Sequence, residues 1–491
     1  MVTTTESIKK LFSIVERVTG PDMFMDACGV PYDPEKCSAK SAAAILGASI
    51  PVLSYNLGVP IVEIGGVSVV WTGTHFNPFD AHQKRSIIKQ FAQSAGLLRA
   101  NILTSDFQRE YDRSFSMYGK AEEVFPDTTA CKGINFADGM LRLNDGEHKF
   151  TPGHKPEDMA TYCIPAPWSK PCHSSAWDKF VNETIPDEDI RDYVLAVLGN
   201  AIANDPMRAQ KVLLFIGAAG AGKSTLIEAI SGCLGAQNVM RTDNLAQITR
   251  DDSRHRMRLA QATLCISADA SANIGDKDAL KMIVSKEPII ARKLYQEPVE
   301  ITPRASLVVA SNELGLSYAL SDEGVARRFD IISFNFAKPV TERDSNLISK
   351  LSTDEAKGAI GKCLAQSLIK HVKVNNGLIR PVKLQDQLDQ LQRDGDPFMT
   401  WMNESGIFND PASKGKVEVS QDESYQSFRT FCVKNGYNQW SLRKFKSRMR
   451  TACEQCEGKR GGKHSFLFSL RDIHLARASG VIGILDAGKS N

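Results

Sequence analysis

The 491-residue sequence holds no apolar run long enough to span a bilayer. Its richest stretch, Ile50–Trp71, is broken by Pro51, Asn56, Pro60, Glu63 and the pair Gly65–Gly66, and reads as short strands and turns. No membrane partner is expected. The opening segment, MVTTTESIKKLFSIVERV, lacks signal-peptide architecture and reads as a surface helix near residues 5–19. Without an export signal, the eleven cysteines, an odd number spread along the chain, read as reduced thiols of a cytoplasmic protein. Charge is nearly balanced at +3, so any surface for nucleic acid must be local. Internal repeats and low-complexity blocks are also missing.

What remains is a globular composition, 24% charged and 42% hydrophobic, at a length that calls for two to four domains. Residues 1–120 read as an α-rich N-terminal accessory or oligomerisation domain, with strand-like pieces near 50–72 and a helical stretch from about 80 to 105. Residues 121–205 contain a small β-element (GINFADGMLRLNDGEHKFTPG), a Pro/Cys-rich loop (CIPAPWSKPCHSS) and a helical stretch (DEDIRDYVLAVLGNAIAND). Residues 206–340 alternate apolar strands with helices, the pattern of an α/β fold on a parallel sheet. Residues 341–390 read as a helical lid or linker, 391–478 as a separate small α+β unit, and 479–491 as a flexible tail.

The sharpest signal is FIGAAGAGKSTLIEAI, which begins at Phe215. Gly217-x4-Gly222-Lys223-Ser224 matches the phosphate-loop pattern at every fixed position, between a buried strand (Lys211–Ile216) and an amphipathic helix that Gly235 is placed to end. Small residues at Gly217, Ala218, Ala219, Gly220, Ala221 and Gly222 let backbone N–H groups turn toward phosphate oxygens, and the helix N-terminus through Thr225 adds partial positive charge. Lys223 is expected to reach the β- and γ-phosphates of ATP, and the Ser224 hydroxyl to ligate Mg²⁺. Three elements follow. The apolar strand ATLCISADAS ends in Asp269, a carboxylate suited to the Mg²⁺ water shell. SLVVASN ends in Asn312, suited to orient a water or sense the γ-phosphate. GVARRFDIISF carries Arg327 and Arg328, suited to a finger on a neighbour's nucleotide. Each alone also fits a plain structural role; their order and compact spacing favour the catalytic one.

This series resembles the superfamily 3 helicases, most closely the branch found in satellite-phage and poxvirus primase-helicases. The resemblance extends upstream through INFADGMLRLNDGEHKFTPGHKPEDMATYCIPAPW and DYVLAVLGNAIANDPMRAQKVLLFIGAAGAGKST. It covers about 120–340 well, the C-terminal unit loosely and the first hundred residues weakly. It implies an AAA+-like P-loop ATPase that assembles as a ring, usually a hexamer, around DNA in a bacterial host. Lys223, Ser224, Asp269, Asn312 and Arg328 carry over by position, with Arg327 as a second candidate finger. It also implies a hairpin in the ring's channel. Here that stretch is IIARKLYQEPVEIT, with Arg292, Lys293 and Tyr295 near its tip to meet phosphate and base. Two departures stand out: Asp269 sits between Ala268 and Ala270 where many relatives have paired acids, and Lys286–Glu287 stands where relatives often show Gly-Asp. Residues 1–120 have no Asp-x-Asp pair, so primase activity is not expected. No Asn-Lys-x-Asp guanine signature or Leu-Ser-Gly-Gly transporter signature is present.

The missing basic surface is found near the C-terminus. From Ser441 to Lys463 there are eight Lys/Arg against two Glu. Leu442, Phe445, Met449 and Cys453 fall on one helical face, and Arg443, Lys444, Lys446, Arg448 and Arg450 cover the rest. A Gly-rich basic turn and the strand SFLFSL follow, which suggests a winged-helix domain on DNA. Cys453-x2-Cys456 near His464, and Cys163, Cys172 and His173, each fall short of four zinc ligands, and no metal is expected at either place. The function these features favour is an ATP-dependent DNA helicase of a phage, plasmid or mobile element, drawing one strand through its ring and recognising an origin duplex with the winged helix. The alternative is an origin-binding initiator that uses ATP only to assemble.

Overall fold

The computed structural model describes residues 3–18, 20–97, 105–125, 133–144, 147–250, 255–267, 274–292, 298–312, 320, 322–375, 377–395, 397–405, 407–408, 416–435, 439–452, 457–460 and 463–470. The chain divides into two compact units, one made of residues 1–314 and 328–384, the other of 315–327 and 385–491.

The first unit is mixed α/β, and its centre is a five-stranded sheet. In spatial order the strands are Phe329–Ser333, Val212–Ile216, Ser306–Ser311, Leu264–Ser267 and Val239–Thr242. All four pairings are parallel. The strands read as near-continuous apolar runs because helices cover the sheet. Helices Glu188–Ile202, Lys223–Leu234 and Asp354–Asn375 share one core with it. At the edge strand, buried Asp330 accepts from Arg380 Nε at 2.6 Å and from the Tyr193 hydroxyl at 2.7 Å, with Lys211 Nζ at 3.5 Å. Arg380 also donates to the Phe329 carbonyl at 3.0 Å.

The N-terminal part begins with helix Thr4–Val18. It is started by reciprocal bonds between Thr3 and Glu6 and buries Ile8, Leu11 and Val15. The reading of residues from Ile50 as strand and turn is corrected over its first part. Helix Ala39–Asn56 contains Pro51, and strands start only at Ile61–Ile64 and Val67–Trp71. Ala42, Ala43, Leu46, Ile50 and Leu53 are buried at helical spacing, and this packing outweighs the intrahelical hydrogen bond that Pro51 cannot donate. Helix Ser105–Tyr118, which the sequence reading did not separate, crosses it closely. A Cβ on Gly47 would lie 2.7 Å from Ser114 Cβ. The expected β-element is the antiparallel sheet Gly133–Phe136, Gly139–Asn144 and Glu147–Pro152. The N-terminal part is fixed to the rest of the unit: Phe76 N donates to Ala160 O at 2.7 Å, and Gly65 lies on Ala260, whose carbonyl would be 2.5 Å from an added Cβ.

The second unit packs helices Pro397–Glu404, Gln421–Lys434 and Leu442–Ala452 around Phe398, Trp401, Phe428, Trp440 and Phe445. Its sheet is antiparallel, with Lys463–Leu470 pairing Ile407–Phe408, Lys416–Ser420 and Glu457–Arg460.

Candidate functional site

The glycine loop leaves the C-terminal end of strand Val212–Ile216 and enters helix Lys223–Leu234. Gly217 lies flat against the next strand's exit, where a Cβ would come within 2.3 Å of the Phe334 carbonyl oxygen. Gly222 caps the helix at φ 97, a left-handed value that favours glycine. Gly235 closes the same helix with its N–H on Ser231 O.

Lys223 is 7% exposed, and its ammonium turns into the loop. It donates to Gly217 O, to Ala218 O at 3.1 Å and to Asn312 Oδ1 at 3.2 Å. Burial holds its pKa below the usual lysine range. Asn312 is there because its strand lies beside the loop's own strand in parallel register, Ser311 opposite Ile216. Ser224 is exposed and Thr225 half-buried at the start of the helix, while Ala218, Ala219 and Gly220 are exposed along the loop and Ala221 is buried beneath it.

A cleft of about 1740 Å³ opens over the loop. Its far wall is the segment after strand Phe329–Ser333, which the sequence reading did not single out. Phe336 lies there, 64% exposed. Arg343 lies over Gly220, where an added Cβ would meet its Nη2 at 2.2 Å, and its Nε donates to Lys338 O at 2.8 Å. Lys338 pairs with Glu183 at 2.5 Å and Lys350 with Asp344 at 2.7 Å. The signal that could have found Arg343 is faint: a basic residue in FNFAKPVTERD, after the apolar strand that follows Arg328.

Other candidates are more scattered. Asp269, with Ala268 and Ala270, lies outside the described residues; its strand is described as far as buried Ser267. Arg327 is exposed, but Arg328 is 7% exposed and donates to Ser285 Oγ at 2.9 Å. Of the two, Arg327 is the exposed one. Strands Ile289–Ala291 and Val299–Ile301 pair as an antiparallel hairpin with Arg292 exposed at its stem; Lys293 and Tyr295 lie outside the described residues. Lys286 adopts φ 59, a conformation that favours glycine, so lysine stands there against a backbone cost. Its ammonium donates to Arg304 O at 2.7 Å and to Ala305 O, and burial pushes its pKa down to about 8.

In the second unit Phe445 and Met449 are buried, Arg443, Lys444 and Arg450 exposed, and Lys446 and Arg448 half-buried. Lys444 Nζ sits 4.2 Å from the Trp440 ring centre and the Arg448 guanidinium 5.9 Å from that of Phe398. Cys453 and Cys456 lie outside the described residues, and His464 sits in strand Lys463–Leu470. Cys163 is buried, its thiol pushed up to about 12 chiefly by burial. Cys172 donates to Glu355 O, and His173 pairs with Asp178. Among the described residues no three metal-donating side chains cluster, and no helix is long and apolar enough to cross a membrane.

Comparison with known proteins matches two segments of the chain. Residues 61–186 match the family described as "D5 N terminal like". That segment is similar to the family. It holds the antiparallel pair Ile61–Ile64 and Val67–Trp71, the sheet of residues 133–152 and helix Ser175–Thr184, which ends beside the glycine loop: a Cβ on Gly222 would be 3.0 Å from Thr184 Cγ2. Residues 215–328 match a family of unknown function, DUF5906, which runs from the last turn of the loop's strand through Arg328. No curated protein matches. Among solved structures, the apo structure of the NrS-1 C terminal region is 12% identical, with TM-score 0.47, over 86% of this chain and 99% of that one. The A form apo structure of the NrS-1 C terminal region-CTR is likewise 12% identical, with TM-score 0.45, over 86% and 98%.

Proposed function

We propose that this chain is an ATP-dependent DNA helicase acting in the replication of a phage, plasmid or mobile element, assembled as a ring that is most simply a hexamer. The observation that carries this reading is the position of Lys223, held at the mouth of the glycine loop by two loop carbonyls and by Asn312 from the adjacent strand. That combination joins a cation for terminal phosphates to an amide able to orient a water. The D5-like segment ahead of it supports a replication role.

The residues suit Mg-ATP. Gly217, Ala218, Ala219, Gly220, Ala221 and Gly222 offer backbone without bulk. Ser224 presents an exposed hydroxyl to hold the metal, and Asp269 supplies the second-strand carboxylate in this reading. A bound Mg²⁺ would supply positive charge to offset the negative charge on the phosphates. Lys223 gives up its loop carbonyls for phosphate, Asn312 orients the attacking water, and Arg343 closes from the cleft's far wall. Arg327 reaches the neighbouring subunit's nucleotide, and Arg328 supports the strand behind it. The hairpin carrying Arg292, Lys293 and Tyr295 grips single-stranded DNA in the channel. The second unit acts as a winged helix, with Arg443, Lys444, Lys446 and Arg448 directed to duplex phosphates and bases.

Turnover and strand displacement test this. The expected result is DNA-stimulated ATP hydrolysis, abolished by Lys223→Ala, with unwinding of a forked duplex. Arg327→Ala protein should assemble without hydrolysing, and mixing it with Lys223→Ala protein should restore activity at mixed interfaces. ATP-dependent assembly with no strand displacement would favour the initiator reading, to which the isolated acid at Asp269 lends weight. A chain that neither turns over ATP nor binds DNA would end both.

A further inference from the structure

A second cavity, of about 540 Å³, lies between the Pro/Cys-rich loop and helix Asp354–Asn375. Its floor is one face of that helix, with Ala359, Lys362, Cys363 and Gln366 spaced i, i+3, i+4 and i+7. Its other wall is the loop from Trp168 to Ser174. That loop is fixed at both ends. Asp138 accepts the N–H groups of Trp168 at 2.6 Å and Ser169 at 3.0 Å, and the Cys172 thiol donates to Glu355 O at 3.1 Å. The space is far larger than the ~30 Å³ that one water occupies.

Lys362 sets this cavity apart. It is 6% exposed, lines the cavity, and among the described residues has no hydrogen-bond or ion-pair partner for its ammonium. Lys223, buried to the same degree, has three acceptors. The Lys362 stem is packed in the protein and its ammonium opens on the cavity. The carboxylate on the wall, Asp178, is taken by His173 Nδ1 at 3.0 Å. An anion that enters the cavity would meet an ammonium with no acceptor among the described residues of the chain.

We propose that this cavity is a phosphate-binding site. Lys362 is the cation on its floor, and exposed Lys170 at the rim is a second. Ser174 already accepts the Trp177 N–H at 3.3 Å, which leaves its hydroxyl proton to donate. Half-buried Trp168 offers a ring face to a nucleoside carrying the phosphate. Free phosphate and a phosphodiester of single-stranded nucleic acid present the same oxygens, and the cavity has room for either. The site is separate from the glycine loop and does not depend on the helicase reading.

The test uses the full-length chain carrying Lys223→Ala, so that phosphate affinity of the glycine loop does not intrude. It is titrated with inorganic phosphate and, separately, with a single-stranded oligonucleotide lacking terminal phosphates. Adding Lys362→Met should weaken phosphate binding at least tenfold. It should also leave the melting temperature in phosphate-free buffer unchanged, because the ammonium bonds to no other group among the described residues. Lys362→Arg should stay within a few fold of the parent, and Lys170→Ala, at the exposed rim, should weaken binding several-fold. A parallel loss of oligonucleotide affinity identifies the ligand as a polynucleotide backbone; loss for inorganic phosphate alone identifies it as a free phosphate. The proposal is overturned if neither probe binds, or if Lys362→Met leaves the affinity for phosphate unchanged.

Discussion

Gly217→Ala and Gly232→Ala make the same chemical change at two places in one strand–loop–helix, and they should have opposite effects. At Gly217 the new Cβ would stand 2.3 Å from the Phe334 carbonyl oxygen and 2.9 Å from its Cβ. Phe334 cannot swing aside as a side chain would, because its own N–H is bonded to Ile216 O at 2.6 Å. An ordinary carbon–oxygen contact is about 3.3 Å, so the end of the edge strand must move by about 1 Å. Overpacking of that kind costs about 1–3 kcal/mol, and an unyielding backbone neighbour puts this case near the upper figure. At Gly232 the position is exposed and helical, and an added Cβ meets only Lys357 Cε at 3.7 Å. There alanine should gain about 0.5–1 kcal/mol. At about 2 °C per kcal/mol for a unit this large, Gly217→Ala should lower the unfolding temperature by roughly 6 °C and Gly232→Ala should raise it by about 1–2 °C. Differential scanning fluorimetry resolves both. If the two variants melt together, Phe334 does not form the back wall of the loop and the account of that wall is wrong.

Other outcomes are open to the same kind of check. Arg343→Ala should raise the KM for ATP ten- to a hundredfold, from the ~1.5–3 kcal/mol of a charged hydrogen bond, with stability unchanged; a KM within twofold of the parent would remove Arg343 from the nucleotide. Lys286 has its pKa pushed down from 10.5 to about 8 by burial, so between those pH values the unfolded chain holds more protons than the folded one. Stability should therefore rise with pH across that window by up to roughly 3 kcal/mol, and Lys286→Met should remove that component of the rise; identical pH slopes in both proteins would sink it. Asp330→Asn should cost about 3–5 kcal/mol, because it leaves Arg380 buried and unpaired, and a loss under 1 kcal/mol in urea unfolding would show that the cluster is not a true buried pair.

The strand, loop and helix from Val212 to Leu234 were legible because fixed glycines, a buried apolar run and an amphipathic period all point to one conformation. Strands ending near Asn312 and Ser267 were legible for the same reason. Helix Ala39–Asn56 was not: Pro51 is a local breaker, and only the tertiary contact with helix Ser105–Tyr118 explains its place. The difference between Arg327 and Arg328 was equally hidden. Adjacent residues look alike in sequence, and only the partner at Ser285 decides which is buried. Arg343 was missed because it lies more than a hundred residues from Gly220 and belongs to no periodic pattern. Lys286 shows the converse: the sequence marked an oddity there, and the structure places that lysine at a backbone angle glycine favours.

Arg380, reaching from beyond helix Asp354–Asn375 to the Phe329 carbonyl and Asp330, seals the start of one margin of the parallel sheet. An identical molecule cannot add a strand at that point, because the acceptor it would need is taken. A copy of this chain that approached that corner would be met by a guanidinium and not by open backbone.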